Sequence, residues 1–541
     1  MIAKLEAEMQ MKRHVLTDWN SIDWKKAERK VTNLRKRIYQ ATERGEVKEV
    51  KNLQKLLLNS FANKVLAIKR VTQINDGKKT TGVDGVVIED HTDRVKIANE
   101  KINLKGYKPL PVRRVYIPKS DNSKRPLGIP TIKDRIIQAI VKEALEPEWE
   151  ARFEANSFGF RPGRCTQDAI EEIHAALNNS AVGRNEWILD ADIKKAFDTI
   201  NHEFILNQIC NFPMKGLISK WLKAGYLETG IMHETHNGTP QGGVISPLLA
   251  NIALDGLQNQ LGKGYRYARY ADDFVIMAKS KQAIEDIKPK VEEWLQARGL
   301  TLNNEKTKII HRDEGFKFLG FHIKMYNKKL IIKPQKEKVE GLLDKIRNWL
   351  DDNKQIEAEK VSEHLNPIIR GWANYYRFVC SKETFSKIHW NIGWKLWKWA
   401  KRRHPNKTVF WVLSKYYEKN KYGKFDVFNG LYRINKTPII RYIKVKGKAS
   451  PDDPSLKEYW EDRKNRISKT YYAKGSKLYK VAEEQEWKCN SCRAMLMNGE
   501  KIHIHHKDDN HQNDDISNLE IIHEHCHHQK HSKARKVAKA A

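Results

Sequence analysis

Apolar residues recur at helical spacing in two widely separated parts of the chain. Near its beginning they form two stripes with Lys and Arg on the faces between them, at Val31, Leu34 and Ile38 and then at Leu53, Leu56, Leu57 and Phe61. A third stripe lies past the middle, at Leu342, Leu343, Ile346, Trp349 and Leu350. An aromatic-rich segment follows it at residues 365–372. The pattern predicts two basic amphipathic helices in the N-terminal part and further helices in the C-terminal half.

Three short stretches between these helical parts have the pattern of β-strands. Residues 266–270 and 274–278 predict two strands joined by a tight turn, and the apolar run at 274–277 anchors the second strand in a core. Apolar and polar positions alternate in residues 187–193, which places Asp190 and Asp192 on one face of a strand. The chain is therefore expected to mix helices and strands in an α+β arrangement.

The turn between the two hairpin strands carries adjacent carboxylates, Asp272 and Asp273. The second strand is anchored in a core, so these acids have a fixed place, and Asp192 offers a third carboxylate. Carboxylate oxygens suit Mg²⁺, and two such ions roughly 4 Å apart can activate a hydroxyl and neutralise a leaving pyrophosphate. We therefore expect a pair of Mg²⁺ ions here. The alternative is an ordinary acidic turn and a solvated strand end.

The 541-residue chain is strongly basic, with 100 Lys and Arg against 67 Asp and Glu, a net charge of +33 and a pI near 9.6. This charge favours a polyanionic partner, and the length indicates several domains, because single cores stop growing beyond about 250–300 residues. No apolar run of the sequence approaches the roughly 20 residues of a membrane span. The first residues lack the apolar stretch of a signal peptide, and Glu6 and Glu8 argue against an acid-poor transit peptide. We expect a cytoplasmic protein, associated with a bacterial nucleoid and without a membrane partner.

Histidine and cysteine cluster near the C-terminus, where nine of the 20 His fall between His503 and His531. Half of a zinc knuckle is present as Cys489 and Cys492, and the other half has His523 in place of the usual first cysteine, followed by Cys526. These four side chains keep the tetrahedral chemistry of a structural Zn²⁺ site. The other cysteines, Cys165, Cys210 and Cys380, are scattered, as expected for reduced thiols of a cytosolic chain.

An ordered series of short motifs resembles the reverse transcriptases encoded by group II introns. The motifs lie at residues 115–119, 124–130, 133–135, 157–162, 192–198, 238–243, 270–273, 302–307 and 318–321. Each could arise by chance, but together they keep the family's order over roughly two thirds of the chain. The resemblance implies an α+β multidomain fold: a right-hand reverse transcriptase with fingers and palm, a helical thumb, and a small zinc-containing HNH domain of the ββα-metal type.

The resemblance also implies roles in the palm for individual residues. Asp192, Asp272 and Asp273 resemble the catalytic triad that binds Mg²⁺. Phe197 resembles the bulky residue under the incoming sugar, which would clash with a 2′-hydroxyl and so predicts DNA synthesis. The alternative for Phe197 is a plain core position.

Four further residues resemble the family's nucleotide-binding groups. Gln241, followed by two glycines, resembles a loop whose backbone approaches the incoming nucleotide closely. Lys124 and Arg125, with Arg135 as a further candidate, resemble the fingers residues that grip the triphosphate of a dNTP. The alternatives are a turn without a ligand and solvated surface charge.

The C-terminal histidines resemble the His-Asn-His endonuclease pattern. The resemblance implies that His506 deprotonates water beside one catalytic divalent ion, Mg²⁺, held by His505 and by one or both of His527 and His531. His527 and His531 are four residues apart and share a face of a predicted helix. Asn518 is expected to orient this site and is counted among its ligands. The alternative is a His-rich tail that only chelates metal.

The resemblance implies five segments. These are an N-terminal extension with the start of the fingers at 1–85, fingers and palm at 86–326, a thumb or maturase domain at 327–443, a DNA-binding segment or linker at 444–480, and the HNH domain at 481–541. In the thumb, tryptophans interleave with Lys and Arg, at Trp390, Trp394, Trp397, Trp399 and Trp411. Such a mixture suits base stacking and phosphate contacts, although half of these tryptophans are expected to pack in the core. For 444–480, charge alone supports DNA binding, so a solvated linker remains the alternative.

These features predict a multifunctional intron-encoded protein with group II intron RNA, target DNA and dNTPs as partners. The resemblance implies that the protein assists splicing, nicks the target DNA and uses the exposed 3′-hydroxyl to prime reverse transcription. One alternative is a maturase that binds RNA with little polymerase activity. Another is a reverse transcriptase of a different retroelement. The intron, the DNA target and the oligomeric state are not encoded in these patterns.

Overall fold

The computed structural model describes residues 15–118, 124–178, 185–420, 422–472, 474–498, 500–510 and 512–531. The chain start from which the absence of a leader is inferred lies outside the described residues, as do Lys119 of the first motif and His511 of the His-rich segment. Within the described residues, every helix is too short or too polar to cross a membrane.

The N-terminal part is a group of helices packed on a long helix of the palm. These helices are α1 (Trp24–Glu43), α2 (Val47–Leu58), α3 (Phe61–Lys69) and α4 (His91–Asn99). The Asp23 side chain caps α1 by accepting from the Lys26 backbone N–H, and a π-helical turn, Arg70–Ile74, continues α3. The predicted apolar stripes are buried at Val31, Ile38, Leu53 and Leu57. Leu56 and Phe61 are exposed, because the second stripe is divided between α2 and α3.

The fingers and palm alternate strands and helices. The strands are β1 (Val112–Pro118), β2 (Lys124–Ile129), β3 (Trp187–Asp192), β4 (Tyr226–Glu228), β5 (Ile231–His233), β6 (Arg266–Tyr270), β7 (Asp273–Ala278) and β8 (Lys308–His311). The helices are α5 (Ile132–Arg152), α6 (Thr166–Leu177), α7 (Ala196–Thr199), α8 (His202–Gln208), α9 (Lys215–Leu222), α10 (Ser246–Ala253), α11 (Leu257–Leu261) and α12 (Lys281–Gln296). The fingers sheet has the order β2-β1-β4-β5 and the palm sheet has the order β6-β7-β3-β8.

The palm sheet is covered by core on both faces, and this explains the continuous apolar run of β7. Phe274 and Ile276 point into a core shared with the N-terminal helices and α5. Val275 and Met277 point to the opposite face, into a core shared with α6 and the thumb. The predicted hairpin and the strand at 187–193 are confirmed, and β3 lies directly beside β7 in the sheet.

A small antiparallel sheet precedes the thumb and consists of β9 (Phe316–Phe318), β10 (Phe321–Tyr326) and β11 (Lys329–Pro334). The thumb itself consists of α13 (Lys336–Asp352), α14 (Ala358–Tyr376), α15 (Lys382–Arg403), α16 (Val409–Tyr416), β12 (Tyr417–Lys419) and β13 (Phe425–Phe428). The predicted helix at 342–350 is confirmed in α13. The aromatic-rich segment at 365–372 lies inside α14. Trp399 is buried, whereas Trp390 and Trp394 are 68% and 50% exposed and stack on each other.

The segment after the thumb is not a solvated linker, which corrects that alternative. Val445, Ala449 and Trp460 belong to the core of the palm and thumb, and Trp460 lies on helix α17 (Lys457–Ser468). On the same helix, Arg463 pairs at 3.0 Å with the fully buried Asp168 of α6.

A buried charge network joins this segment to the N-terminal helices and the palm. Arg35 of α1 contacts Asp452 at 2.7 Å, Glu143 at 2.6 Å and Glu146 at 3.0 Å. Arg35 therefore links three parts of the chain that are far apart in sequence.

The C-terminal module has its own small core. Its elements are α18 (Lys477–Glu484), β14 (Ile502–His506), β15 (Leu519–His523) and a helix, α19, at residues 524–531. β14 and β15 are antiparallel, with His505 opposite Glu520. The module rests on the N-terminal helices, where the buried Lys69 Nζ lies 3.4 Å from Glu500 Oε1 and the Trp24 ring meets His525 edge to face.

Three of the sequence-based boundaries fall inside structural units. The boundary after Tyr326 lies within the β10–β11 hairpin, and the boundary after residue 443 divides the core that contains Val445. The boundary after residue 480 cuts helix α18. Local composition marked these positions, whereas shared cores determine where a domain ends.

Candidate metal centres

The β6–β7 turn and the end of β3 bring the palm acids together. Asp273 is the register partner of Asp192 across the β3–β7 pair, and Asp272 precedes it in the turn. Ala271, at φ 58°, holds the left-handed conformation that the tight turn requires. The structure thus places the three predicted metal ligands at one edge of the palm sheet.

Burial, and after it like charge, raises the pKa values of Asp190, Asp272 and Asp273 at this edge. Burial and the neighbours Asp272 and Asp192 raise the pKa of Asp273 to about 7. Burial and Asp192 raise the pKa of Asp190 to about 6. Among the described residues, the three predicted ligands do not form a cluster with all oxygens within 4.8 Å, as expected for groups that repel one another. The donor set suits hard divalent cations, which would stabilise the charged carboxylates.

Two residues of the 302–307 motif contact the Asp192 carboxylate through a hydrogen bond and an ion pair. Asn303 Nδ2 donates to Asp192 Oδ2 at 3.2 Å, and Lys306 Nζ lies 3.4 Å from the same oxygen. The Asn303 backbone N–H also donates to the Asp192 carbonyl at 2.8 Å. These contacts fix the position of Asp192.

A cavity of about 530 Å³ in the fingers and palm is lined by the predicted substrate residues Arg125, Phe197 and Gln241. Phe197 is half-buried and meets the Phe160 ring edge to face at 6.4 Å. Gly242 has φ 118°, and a Cβ there would lie 2.5 Å from the Gly128 carbonyl oxygen, so this loop requires glycine. Arg125 is near enough to Asp272 to favour its charged form.

Two of the predicted triphosphate contacts do not line this cavity. Arg135 is buried, and its guanidinium donates to the backbone carbonyls of Pro130, Gly77 and Thr80. Arg135 therefore ties α5 to the preceding loops, which corrects its expected role as a triphosphate contact. Lys124 is exposed at the start of β2, outside the cavity lining.

Two cations of the cavity lining were not singled out from the sequence. Arg70 and Lys142 belong to helical segments that come from different parts of the chain. Only the packing of the N-terminal helices on α5 brings them to one wall of the cavity.

Arg269 holds the turn that carries Asp272 and Asp273 in place through hydrogen bonds from a buried position. It is fully buried, and its Nη1 donates to the Ala271 carbonyl at 3.1 Å and to Asn251 Oδ1 at 3.0 Å. Asn251 in turn donates to the Gly159 carbonyl at 2.8 Å, and a Cβ on Gly159 would lie 2.3 Å from the Ala271 nitrogen. The sequence carried a signal for this role, because alternation along β6 puts Arg269 on the same face as the buried Tyr267.

Four predicted ligands of the C-terminal module lie close together. Cys489, Cys492, His523 and Cys526 are all buried, and their ligand atoms lie within 4.8 Å of one another. Cys492 Sγ is 3.3 Å from His523 Nδ1. Hydrogen bonds from Cys492 and Cys526 lower the pKa of Cys489 and so favour the thiolate, the form that binds Zn²⁺.

A second cluster joins His505 of β14 to His527 and His531 of α19, with ligand atoms within 4.8 Å. His527 Nε2 lies 3.2 Å from His531 Nε2. Burial and the neighbouring histidines His531, His503 and His505 lower the pKa of His527 to about 4, so this imidazole is neutral and able to bind a metal at pH 7. The expected sharing of a helix face by His527 and His531 is confirmed.

The other two residues of the His-Asn-His pattern lie outside this cluster. His506 Nε2 is 3.3 Å from Asp514 Oδ1. Asn518 donates to Asp508 Oδ1 at 2.8 Å and to the Asn513 carbonyl at 2.7 Å, and its own oxygen accepts from the Asp508 N–H. Asn518 therefore orders the loop between the two strands, which corrects its place among the metal ligands.

The hydrogen bonds of Arg269 to the Asp272–Asp273 turn predict a loss of metal affinity in Arg269→Lys. The lysine side chain is shorter, so its amine does not reach the positions from which Nη1 donates to Asn251 and Ala271. Changes in groups that orient metal ligands typically cost about 10–100-fold in affinity. We expect Mn²⁺ binding to the palm, measured by electron paramagnetic resonance, to weaken at least about tenfold. Arg266→Lys on the same strand, whose side chain is half exposed, is the control. Equal Mn²⁺ affinity in both variants would contradict this role.

The four-ligand cluster predicts that zinc is retained by His523→Cys and lost from His523→Ala. Cysteine restores a tetrahedral ligand set, whereas alanine leaves three ligands. Zinc per chain is measured by inductively coupled plasma mass spectrometry, with the exposed Cys380→Ser as control. Zinc content that is unchanged in His523→Ala would exclude His523 as a ligand.

Comparisons with known proteins agree with the geometry of the palm. A family model for reverse transcriptase (RNA-dependent DNA polymerase) matches residues 117–323, and one for the N-terminal domain of reverse transcriptase matches residues 19–100. A third, for the group II intron maturase-specific domain, matches residues 339–417. A telomerase structure from Candida albicans, in complex with a fragment of telomeric RNA, covers 58% of this chain and 64% of its own, at 13% identity and a TM-score of 0.33, too low to support an argument.

Two curated bacterial proteins are similar to the chain. Protein YkfC of Escherichia coli is 35% identical over 298 residues, which cover 47% of this chain and 78% of YkfC. The group II intron-encoded protein LtrA of Lactococcus lactis is 31% identical over 378 residues, which cover 55% of this chain and 62% of LtrA. The chain thus spans less than two thirds of LtrA. With the matched domains in their order, these similarities show that the chain belongs to the group II intron reverse transcriptase and maturase family.

Proposed function

We propose that this chain copies RNA into DNA at the palm, assists the splicing of its group II intron RNA, and nicks target DNA with an HNH-type C-terminal module. The nicked strand then supplies the primer for reverse transcription. The observation that carries the proposal is the β3–β7 register, which puts Asp192 opposite Asp273. Arg125 links this acidic edge to the cavity that Phe197 and Gln241 line.

Each side of that cavity has a task in nucleotide addition. The carboxylates of Asp192, Asp272 and Asp273 would hold two Mg²⁺ ions, whose chemistry is to activate the primer 3′-hydroxyl and neutralise the departing pyrophosphate. Arg125, with Arg70 and Lys142, presents positive charge to the triphosphate. Phe197 fills the space that a ribose 2′-hydroxyl would need.

The thumb offers a surface for the intron RNA. Trp390 and Trp394 stack on each other in the open, where bases can add to the stack. A groove of about 870 Å³ beside Trp394 is lined by basic side chains, among them Arg347, Lys395, Lys398 and Arg402. Exposed aromatic rings among fixed cations suit single-stranded or looped RNA.

The C-terminal module supports hydrolysis of a phosphodiester. His505, His527 and His531 would hold one divalent ion, which stabilises the leaving 3′ oxygen. His506 contacts Asp514, which orients the imidazole, and His506 would accept the proton of the attacking water. The Cys489 cluster includes His523, the last residue of β15. With Zn²⁺ bound, this cluster would join β15 to the Cys489–Cys492 turn and stabilise the module.

The two centres predict a reciprocal loss of activity. We expect Asp272→Asn to abolish primer extension on an RNA template and to leave DNA nicking unchanged. His506→Ala should reduce nicking by about 10²–10⁴-fold, the usual contribution of a general base, and leave primer extension unchanged. The assays are primer extension and nicking on the same preparations. A wild-type chain that binds intron RNA but extends no primer would instead support an RNA-binding maturase.

The position of Phe197 predicts selection against ribonucleotides. In Phe197→Val the smaller side chain leaves room for a 2′-hydroxyl, so ribonucleotide incorporation relative to dNTP incorporation should rise. Competition primer extension measures the ratio, and Phe160→Leu at the neighbouring ring is the control. If Phe197→Val shows no gain in ribonucleotide use, the gate role is rejected.

A further inference from the structure

A second cavity lies between the N-terminal helices and the C-terminal module. Its volume is about 350 Å³, within the roughly 300–1,000 Å³ range of ligand sites. Trp19 and Trp24, both nearly fully buried, contribute to one wall, and His525 and His528 of α19 contribute to another. The cavity exists only because the module is docked on the N-terminal helices.

The docking contact that forms this cavity consists of buried, paired charges and aromatic rings. Lys69 is 2% exposed and pairs with Glu500, whose other oxygen lies 2.7 Å from His525 Nδ1. Trp24 packs against both Lys69 and His525. A buried charge is strongly destabilising when its partner is removed. The C-terminal module is therefore expected to bind the N-terminal helices in the one position that keeps these charges paired.

The cavity contains a buried cation that forms no ion pair within 4.0 Å among the described residues. Arg94 of α4 is 5% exposed and donates to Thr72 Oγ1 and to the Glu89 carbonyl, and the carboxylates of Asp90, Asp93 and Glu89 favour its charged form from a greater distance. Lys78 and Lys501 also line the cavity.

The acids of the lining already have partners. Glu89 pairs with Lys79 at 3.2 Å, Glu524 lies 3.6 Å from His503, and Glu500 is engaged by Lys69. None of these acids forms an ion pair with Arg94, although Glu89 lies near enough to favour its charged form. A phosphate is the anion that compensates such a group in a nucleic-acid-binding protein.

The cavity is adjacent to the three-histidine cluster. The His528 ring lines the cavity and lies 6.1 Å from the His527 ring and 6.4 Å from the His503 ring. A strand whose phosphate reaches His527 can therefore place a neighbouring nucleotide in the cavity.

We propose that this interdomain cavity binds a nucleotide of the DNA strand that the C-terminal module cuts, next to the scissile phosphate. DNA rather than RNA is the occupant, because the cavity borders the nuclease cluster. Lys501 and Lys78 contact the phosphate of the bound nucleotide, and the positive charge of Arg94 helps to compensate the negative charge of that phosphate. The inference rests on the proposed nuclease function and adds a substrate site that is shared between two parts of the chain.

Charge reversal in the full-length chain tests the site. Lys501→Glu and Lys78→Glu should raise the KM for nicking of supercoiled plasmid DNA several-fold, and each should lower the salt dependence of binding to a fluorescein-labelled DNA duplex by about one unit of log–log slope. Lys290→Glu and Lys263→Glu, at exposed palm positions, are the charge-matched controls. Unchanged zinc content shows that the variants remain folded.

The outcomes separate this inference from the proposed function. If the cavity variants match the controls in KM and in salt slope, the inference is overturned. It is also overturned if they lose affinity for a labelled RNA template and keep their affinity for DNA. If the wild-type chain nicks no plasmid with Mg²⁺ or Mn²⁺, the nuclease function fails. The duplex-binding slopes, measured in Ca²⁺, then still decide whether the cavity binds DNA.

Discussion

Repulsion among carboxylates at one edge of the palm sheet is the constraint on which the rest of the structure depends. Burial raises the pKa values of Asp190, Asp272 and Asp273, and the neighbouring carboxylates, Asp192 among them, raise these values further. A flexible backbone would relax and separate them. The packing of β7 on both faces and the hydrogen bonds of the buried Arg269 prevent this. The large core therefore keeps a set of charges in place, ready for divalent cations.

Single buried cations connect the parts of this chain. Arg35 joins α1 to α5 and to the segment around Asp452, and Lys69 joins α3 to the C-terminal module through Glu500. Removing one partner of such a pair typically costs about 3–5 kcal/mol, because a buried charge is left uncompensated. The N-terminal helices thus do more than cover the palm. They are the surface on which two later segments of the chain are aligned.

Local chemistry was predictable from the sequence, and the family resemblance also brought Asp192 to Asp272 and Asp273, whereas the other contacts between distant segments were not predictable. The strand pattern, the Asp272–Asp273 turn and the ligands around Cys489 and His527 follow from short spacings. Arg135 was misassigned because a basic residue after a polar turn has the same local pattern whether it faces solvent or three backbone carbonyls. Asn518 was misassigned for a similar reason, since its partners lie within its own loop. Arg70 and Arg94 acquire their surroundings only after helices from different regions pack together.

The position of Trp460 bears on how such proteins gain and lose domains. This residue fills the core of the palm and thumb, and Gly163 is needed opposite it because a Cβ there would lie 2.5 Å from the indole. A truncation at the compositional boundary near residue 444 would remove Trp460 and open that core. A domain boundary placed between α17 and α18, by contrast, leaves intact both the core of the palm and thumb and the core of the C-terminal module. Recombination or engineering that transplants the C-terminal module onto a relative should therefore be tolerated at this junction, provided that the recipient offers counterparts of Lys69 and Trp24 as a seat.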